Sequence, residues 1–160
     1  MDRKYYIAYG SNMAVDQMEV RCPEAKVVGT AILNGWQLRF KRYATIEPNP
    51  NANTPVLVWE ISERDEKRLD RYEGFPSLYF KKDLEVNVLP TDGGDPVAVT
   101  AMVYIMDEAY TCAAPFPDYY MALKDAYEAF RFPMQTLTQA LRDSIGDDSA
   151  RLFLKRIGVG

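Results

Sequence analysis

The sequence predicts an α+β fold around a curved or barrel-like sheet. Strand-like and helical stretches neither alternate strictly nor separate into two blocks, which favours this class. The chain has 160 residues, of which 48% are apolar and 26% charged, so it is large enough for one folded domain with its own core. The last residues have a helical pattern and predict a C-terminal helical tail.

The N-terminal region predicts a strand, a tight turn and a helix in succession. Residues 4–9 are rich in aromatic and β-branched side chains, and Gly10-Ser11-Asn12 follows as a turn. The helical pattern covers residues 14–21, with Ser11 or Asn12 as its expected cap. Glycine at this junction would let a ligand approach the backbone closely, and the alternative is a capped turn without a ligand.

The next part of the chain predicts strands and a loop. Residues 25–33 and 36–43 have strand patterns, and the dipeptide Asn34-Gly35 between them is typical of a hairpin turn. Residues 47–53 are rich in asparagine and proline and are expected to form an irregular loop. Residues 55–61 predict a strand that is buried on both faces.

A helix is predicted from Ser62 to about residue 72, because Ser62 and Asp65 have the spacing of a capping box. Gly74 lies where a C′ glycine ends a helix. Glu73 therefore faces the negative end of the helix dipole among aromatic neighbours, and both effects would raise its pKa on burial. Such a carboxyl can exchange protons near neutral pH. The alternative is an exposed glutamate that happens to end a helix.

The C-terminal half predicts two strands and then only helices. The predicted strands cover 84–89 and 97–106, and the predicted helices cover 118–130, 134–145 and 149–157. We therefore expect a domain over residues 1–133 and a helical extension over 134–160. The extension could cover a cavity, pack on the domain, or form a homo-oligomer through its helices.

Composition excludes several kinds of chemistry. The chain has no histidine, which removes Ser-His-Asp and Cys-His catalysis and histidine-ligated zinc. Cys22 and Cys112 are too few for a metal site, so neither a metal nor a cofactor is expected. A net charge of −4 argues against nucleic acid or an anionic membrane as partner. No membrane span or secretory leader is recognisable, and we expect a cytoplasmic protein.

Several segments together resemble the γ-glutamylcyclotransferase-like family. These segments are Tyr9-Gly10-Ser11-Asn12-Met13, Arg21-Cys22-Pro23, Ala44-Thr45-Ile46 and Leu69-Asp70-Arg71-Tyr72-Glu73-Gly74, with Tyr79 beyond them. The resemblance covers about residues 4–130. A YGSN motif followed some sixty residues later by LDxxEG is far more specific than either motif alone.

The resemblance implies a small mixed β-barrel with flanking helices, in which the turn at Gly10 lines a cavity. It implies a cyclotransferase, in which the α-amine of a small γ-glutamyl substrate attacks its own γ-carbonyl and releases 5-oxoproline and a free amine. The catalytic acid/base of the family falls on Glu73. The implied substrate-binding residues are Tyr9, Gly10, Ser11, Asn12, Tyr79 and Tyr119.

The sequence leaves three alternatives open. The residues alone give no preference between a tyrosine hydroxyl of Tyr119 or Tyr120 that points into a pocket and two rings that simply pack. A lyase that removes a γ-glutamyl group from a biosynthetic amine is a second enzymatic interpretation. A non-catalytic small-molecule-binding or interaction domain on the same fold is a third.

Overall fold

The structure, a computed structural model, describes residues 3–159. Its strands are β1 (Arg3–Ala8), β2 (Lys26–Lys41), β3 (Tyr43–Ser62), β4 (Tyr79–Pro90) and β5 (Val97–Met106). Its helices are α1 (Val15–Arg21), α2 (Glu63–Glu73), α3 (Pro117–Phe130), α4 (Met134–Ile145) and α5 (Asp147–Arg156), and a 3-10 turn over Ser11–Met13 precedes α1. This mixture of elements confirms the predicted α+β class.

The five strands form one closed sheet in the order β1-β3-β2-β4-β5. Neighbouring strands are antiparallel except β1 and β5, which pair in parallel at Tyr5 with Ala101 and at Tyr6 with Met102. This parallel pairing closes the sheet between its first and last strands and makes it mixed, as the resemblance implied.

The core lies along β3, which contacts both β1 and β2. Residues 54–59 of this strand are all buried, which confirms that the strand predicted over 55–61 is covered on both faces. Leu123 and Tyr127 of α3 are also fully buried in the same core. Burial of a leucine such as Leu123 contributes about 1.5–3 kcal/mol relative to exposure, so α3 is firmly attached to the barrel.

The hairpin predicted at Asn34-Gly35 is wrong, because β2 continues through it as a single strand. Gly35 has a φ of 82° and lies at an irregularity, where the pairing with β3 jumps from Asn34–Asn53 to Trp36–Pro48. A glycine in the left-handed region serves a β-bulge as well as a turn. The irregular loop predicted over 47–53 is wrong, because these residues lie within β3 and only the segment 49–52 is skipped by this jump in the pairing with β2.

Helix α2 ends as the sequence predicts, and its end determines where Glu73 lies. The Ser62 hydroxyl accepts from the Asp65 amide at 3.2 Å, and the Asp65 carboxylate accepts from the Ser62 amide at 3.2 Å, which forms the capping box. At the other end Gly74 has a φ of 67°, a conformation that costs glycine little. Glu73 is therefore the last helical residue.

The C-terminal tail is helical, as predicted, and α4 packs against β2. Leu137 and Leu141 of α4 are fully buried. The Phe40 amide of β2 donates to the Ser144 hydroxyl at 2.8 Å, which adds a polar link between the two elements. Among residues 3–159, no helix combines the length and apolar character needed to cross a bilayer.

Candidate active site

One cavity of about 220 Å³ lies where the ends of several elements meet. All seven residues predicted for the site line it: Tyr9, Gly10, Ser11, Asn12, Glu73, Tyr79 and Tyr119. Six further lining residues were not predicted: Tyr6, Tyr43, Ala44, Tyr72, Leu78 and Tyr104. The structure thus brings together residues from β1, the following turn, β3, α2, β4, β5 and α3.

Glu73 is the carboxylate in this cavity, and its side chain is half-buried. Burial raises the pKa of Glu73 to about 7, although the positive charge of Arg21 acts in the opposite direction. Burial has this effect because the apolar surroundings penalise the ionised form. A carboxyl with this pKa is present in both protonation states near neutral pH, so it can accept and donate a proton.

The expected side-chain cap of α1 by Ser11 or Asn12 is wrong, because α1 begins at Val15 without one. Instead, the Asn12 side-chain amide donates to the Tyr6 hydroxyl at 2.9 Å. The carbonyl of Asn12 accepts from the indole of Trp59 at 3.0 Å. Both bonds fix the turn against the barrel, so its backbone is held in one position.

The backbone of this turn is partly free to bind a ligand. The Gly10 carbonyl accepts from the Met13 amide at 3.0 Å, and the Ser11 carbonyl accepts from the Ala14 amide at 3.0 Å. The amides of Ser11 and Asn12 precede the first of these 3-10 bonds and have no partner within the turn, although the Ser11 amide faces the hydroxyl of Tyr119. Both residues line the cavity, so the Asn12 amide, together with the Ser11 amide and the Tyr119 hydroxyl that it faces, could stabilise a bound anionic group.

Gly10 is required by its neighbours rather than by its φ. A Cβ atom at this position would lie 2.9 Å from the hydroxyl of Tyr119. That hydroxyl accepts a hydrogen bond from the Ala44 amide at 3.0 Å, which fixes it between the turn and β3. Of the two tyrosines at the start of α3, it is therefore Tyr119 that points its hydroxyl into the cavity, whereas Tyr120 is buried against Phe40.

The other two predicted tyrosines hold the cavity walls together. The Tyr79 hydroxyl donates to the carbonyl of Ala44 at 2.8 Å, and the Tyr9 hydroxyl donates to the carbonyl of Tyr104 at 2.6 Å. Burial raises the pKa of Tyr9, Tyr79 and Tyr119 above the ordinary value of a tyrosine. These hydroxyls are therefore neutral over the pH range in which Glu73 titrates.

The sequence did not predict that Arg21 contacts both the turn and the end of α2. Its guanidinium stacks on the ring of Tyr72, 3.6 Å from the ring centroid, and donates to the side-chain carbonyl of Asn12. It also donates to the Ser11 hydroxyl at 3.4 Å. Arg21 thus links α1, the turn and the end of α2. Its occurrence in the Arg21-Cys22-Pro23 segment was the available signal, but that segment alone assigns no role.

The chain is similar to known proteins over the part of the sequence that contains the site. Residues 6–122 match the family described as Gamma-glutamyl cyclotransferase, AIG2-like, and this span contains all seven predicted residues. The proteins named Gamma-glutamylcyclotransferase from Homo sapiens and Mus musculus are 29% and 28% identical to the chain over 126 residues. These alignments cover 71% of this chain but 64% of each relative, which is less than two thirds of their length.

Solved structures share the fold. A structure described as Gamma-glutamyl cyclotransferase has a TM-score of 0.74 at 22% identity, covering 97% of this chain and 99% of that chain. An AIG2-like protein from Mus musculus has a TM-score of 0.56 at 21% identity, covering 74% of this chain and 83% of that chain. The family match extends over more than half of the sequence, and the chain therefore belongs to the AIG2-like gamma-glutamyl cyclotransferase family.

Proposed function

We propose that this protein is a γ-glutamyl cyclotransferase, which converts a γ-glutamyl amine or amino acid into 5-oxoproline and the free amine. The main support is the position of Glu73, a half-buried carboxyl whose pKa is raised to about 7 and which lines the same cavity as the Gly10–Asn12 turn. In a chain without histidine, such a carboxyl is one of the few groups that can act as both acid and base near neutral pH.

In the proposed reaction, the α-nitrogen of the substrate forms a bond with the γ-carbonyl carbon, and the bond from that carbon to the leaving nitrogen breaks. Glu73 takes a proton from the attacking ammonium and returns one to the leaving nitrogen. The attacking nitrogen loses a second proton as the lactam forms, and the amine leaves as an ammonium at neutral pH. No redox step and no water molecule enter the balance.

The turn and Tyr119 would position the substrate. The amides of Ser11 and Asn12 are suited to hold the α-carboxylate or the oxyanion that develops on the γ-carbonyl. Because the Tyr119 hydroxyl accepts from the Ala44 amide, its own proton can be donated to the bound substrate. Since the attack is intramolecular, the cavity chiefly needs to hold the substrate in a folded, reactive shape.

The experiment that tests this function is incubation of the purified protein with a panel of γ-glutamyl amino acids and γ-glutamyl amines. We expect 5-oxoproline and the free amine to appear in equal amounts. Turnover confined to large biosynthetic amines would favour the lyase interpretation. Binding of these compounds without any 5-oxoproline would contradict the proposed function and favour a non-catalytic binding domain.

A further inference from the structure

The opening of the cavity is unusually aromatic. Tyr43 and Tyr72 line the cavity and are 41% and 46% exposed, so they form its mouth. Phe116, which precedes α3, is 50% exposed and lies against Tyr43. We name these three residues the aromatic rim. Exposed large apolar side chains that cluster at a cavity are typical of a binding surface.

The rim is continuous with the wall of the cavity and is held in place. The Tyr43 ring meets the Tyr119 ring edge-on at 5.4 Å between centroids and the Phe116 ring at 6.3 Å. On the other side, the Tyr72 hydroxyl lies 3.3 Å from the Ser11 hydroxyl of the turn. A group that leaves the cavity at either side therefore contacts an ordered aromatic ring.

Two arginines already occupy faces of the rim. The Arg21 guanidinium is 3.6 Å from the centroid of Tyr72, and the Arg42 guanidinium is 5.0 Å from the centroid of Phe116. Arg42 is anchored there by a hydrogen bond to the carbonyl of Ala114 at 3.2 Å. A further cation brought to the rim by a ligand would be repelled by these two charges, whereas an uncharged aromatic group would not.

The size of the cavity determines which part of a substrate reaches the rim. A volume of 220 Å³ lies below the range of roughly 300–1,000 Å³ typical of pockets that enclose a drug-sized ligand. A cavity of this size suits a group as large as a γ-glutamyl group better than an entire larger substrate. With the γ-carbonyl near Glu73, the leaving amine then extends to the mouth.

We propose that the aromatic rim is a subsite for the leaving amine and selects γ-glutamyl amides whose amine bears an uncharged aromatic group over those whose amine bears a second cation. This inference rests on the proposed function, because it takes the γ-glutamyl group to lie in the cavity.

The test compares γ-glutamyl benzylamide, γ-glutamyl ethylamide and the mono-γ-glutamyl derivative of 1,4-diaminobutane. We expect kcat/KM for the benzylamide to exceed that for the ethylamide about 10-fold, and the diamine derivative to be the poorest of the three. Phe116→Ala should lower the benzylamide-to-ethylamide ratio about 10-fold. Equal kcat/KM values for the three compounds would overturn the proposal.

Phe80→Ala is the matched control. Phe80 is 42% exposed and lies on β4 in a different groove, beside Trp36 and Pro48. Its removal takes away a similar area of exposed aromatic surface without touching the rim, so the ratio should stay as in the unmodified protein. A ratio that falls equally in both variants would show that the preference does not come from the rim.

Binding to Glu73→Gln separates this proposal from the proposed function. Calorimetry with the same three compounds should give a Kd about 10-fold lower for the benzylamide than for the ethylamide, even where turnover is lost. If no compound yields 5-oxoproline with the unmodified protein but this difference in Kd is found, the proposed function is wrong and the rim is still a subsite for aromatic groups. Equal Kd values would overturn the proposal that the rim is such a subsite.

Discussion

Two features of its position disfavour the ionised form of Glu73. The residue ends α2, where the helix dipole is negative, and it is half-buried among tyrosines. The hydroxyls of Tyr6, Tyr9, Tyr79 and Tyr119 surround it, and burial raises the pKa of each. They stay neutral while Glu73 titrates, so its proton affinity depends on burial and on Arg21.

This burial predicts a pH-dependent cost in stability. The pKa of Glu73 is about 7 in the folded state, against a usual value of about 4.3 in the unfolded chain. Between these two pKa values, Glu73 is ionised in the unfolded chain but still protonated in the folded protein. The free energy of unfolding therefore falls as the pH rises from about 4.5 to about 7. Urea titrations should show Glu73→Gln more stable than the unmodified protein by about 2 kcal/mol at pH 8, with little difference at pH 4.5. A constant difference at both pH values would contradict the raised pKa.

Arg21 gives a second prediction at the scale of single residues. Because its charge lowers the pKa of Glu73, Arg21→Met should raise that pKa and shift the acidic limb of the kcat/KM profile to higher pH. We expect about a 10-fold loss at pH 7 that is partly recovered at pH 9. Arg21→Lys, which keeps the charge, should keep the limb near its original position. A uniform loss at every pH would show that Arg21 only supports the fold.

At the scale of elements, the close approach of the Gly10 turn to α3 shapes the cavity. Gly10→Ala places a Cβ atom 2.9 Å from the Tyr119 hydroxyl, so either the turn or the Tyr119 side chain must shift from its position. We expect kcat/KM to fall about 100-fold, since small displacements in an active site have effects of this size. In a Tyr119→Phe background the same change should cost about 3-fold or less, because the clashing oxygen is gone. Equal losses in both backgrounds would contradict this account of Gly10.

The elements also show what a sequence can predict. Strand β5 and helix α4 have the predicted bounds, because their apolar patterns are unbroken. The predicted start of β4 at residue 84 is wrong, since the strand begins at Tyr79 and pairs with β5 from there. Lys81, near the start of β4, forms ion pairs with Glu66 and Asp70 of α2. No local sequence pattern indicates these contacts.

Some residues of the site could likewise be predicted from the sequence, and others could not. Gly10 was predictable because a glycine between a strand and a helix is typical of a tight turn. Glu73 was predictable because a carboxylate at the C-terminal end of a helix is unfavourable. Tyr104 was not, because it is one buried residue within the regular strand β5. Its role at the cavity depends on a hydrogen bond from its hydroxyl to Asp70 at 2.6 Å, a contact between residues far apart in the sequence.

At the scale of the whole molecule, the division into a domain over 1–133 and an extension over 134–160 stays a prediction, as does a homo-oligomer through the extension. The burial of Leu141 indicates that the extension shares the core of the barrel. Leu141→Ala should therefore lower the free energy of unfolding by about 2–5 kcal/mol in a single transition. Leu152→Ala, at a 53% exposed position of α5, is the control and should change it by about 0.5 kcal/mol or less. Two separate transitions would show that the extension unfolds independently.

The proposed cyclotransferase activity depends on proton transfers by Glu73. The most direct measurement is the rate of 5-oxoproline release by the unmodified protein and by Glu73→Gln, with circular dichroism to verify that both are folded. Glutamine keeps the shape of the side chain but cannot exchange the proton, so we expect the rate to fall by about 100-fold to 10,000-fold. An unchanged rate in a folded Glu73→Gln variant would contradict the claim.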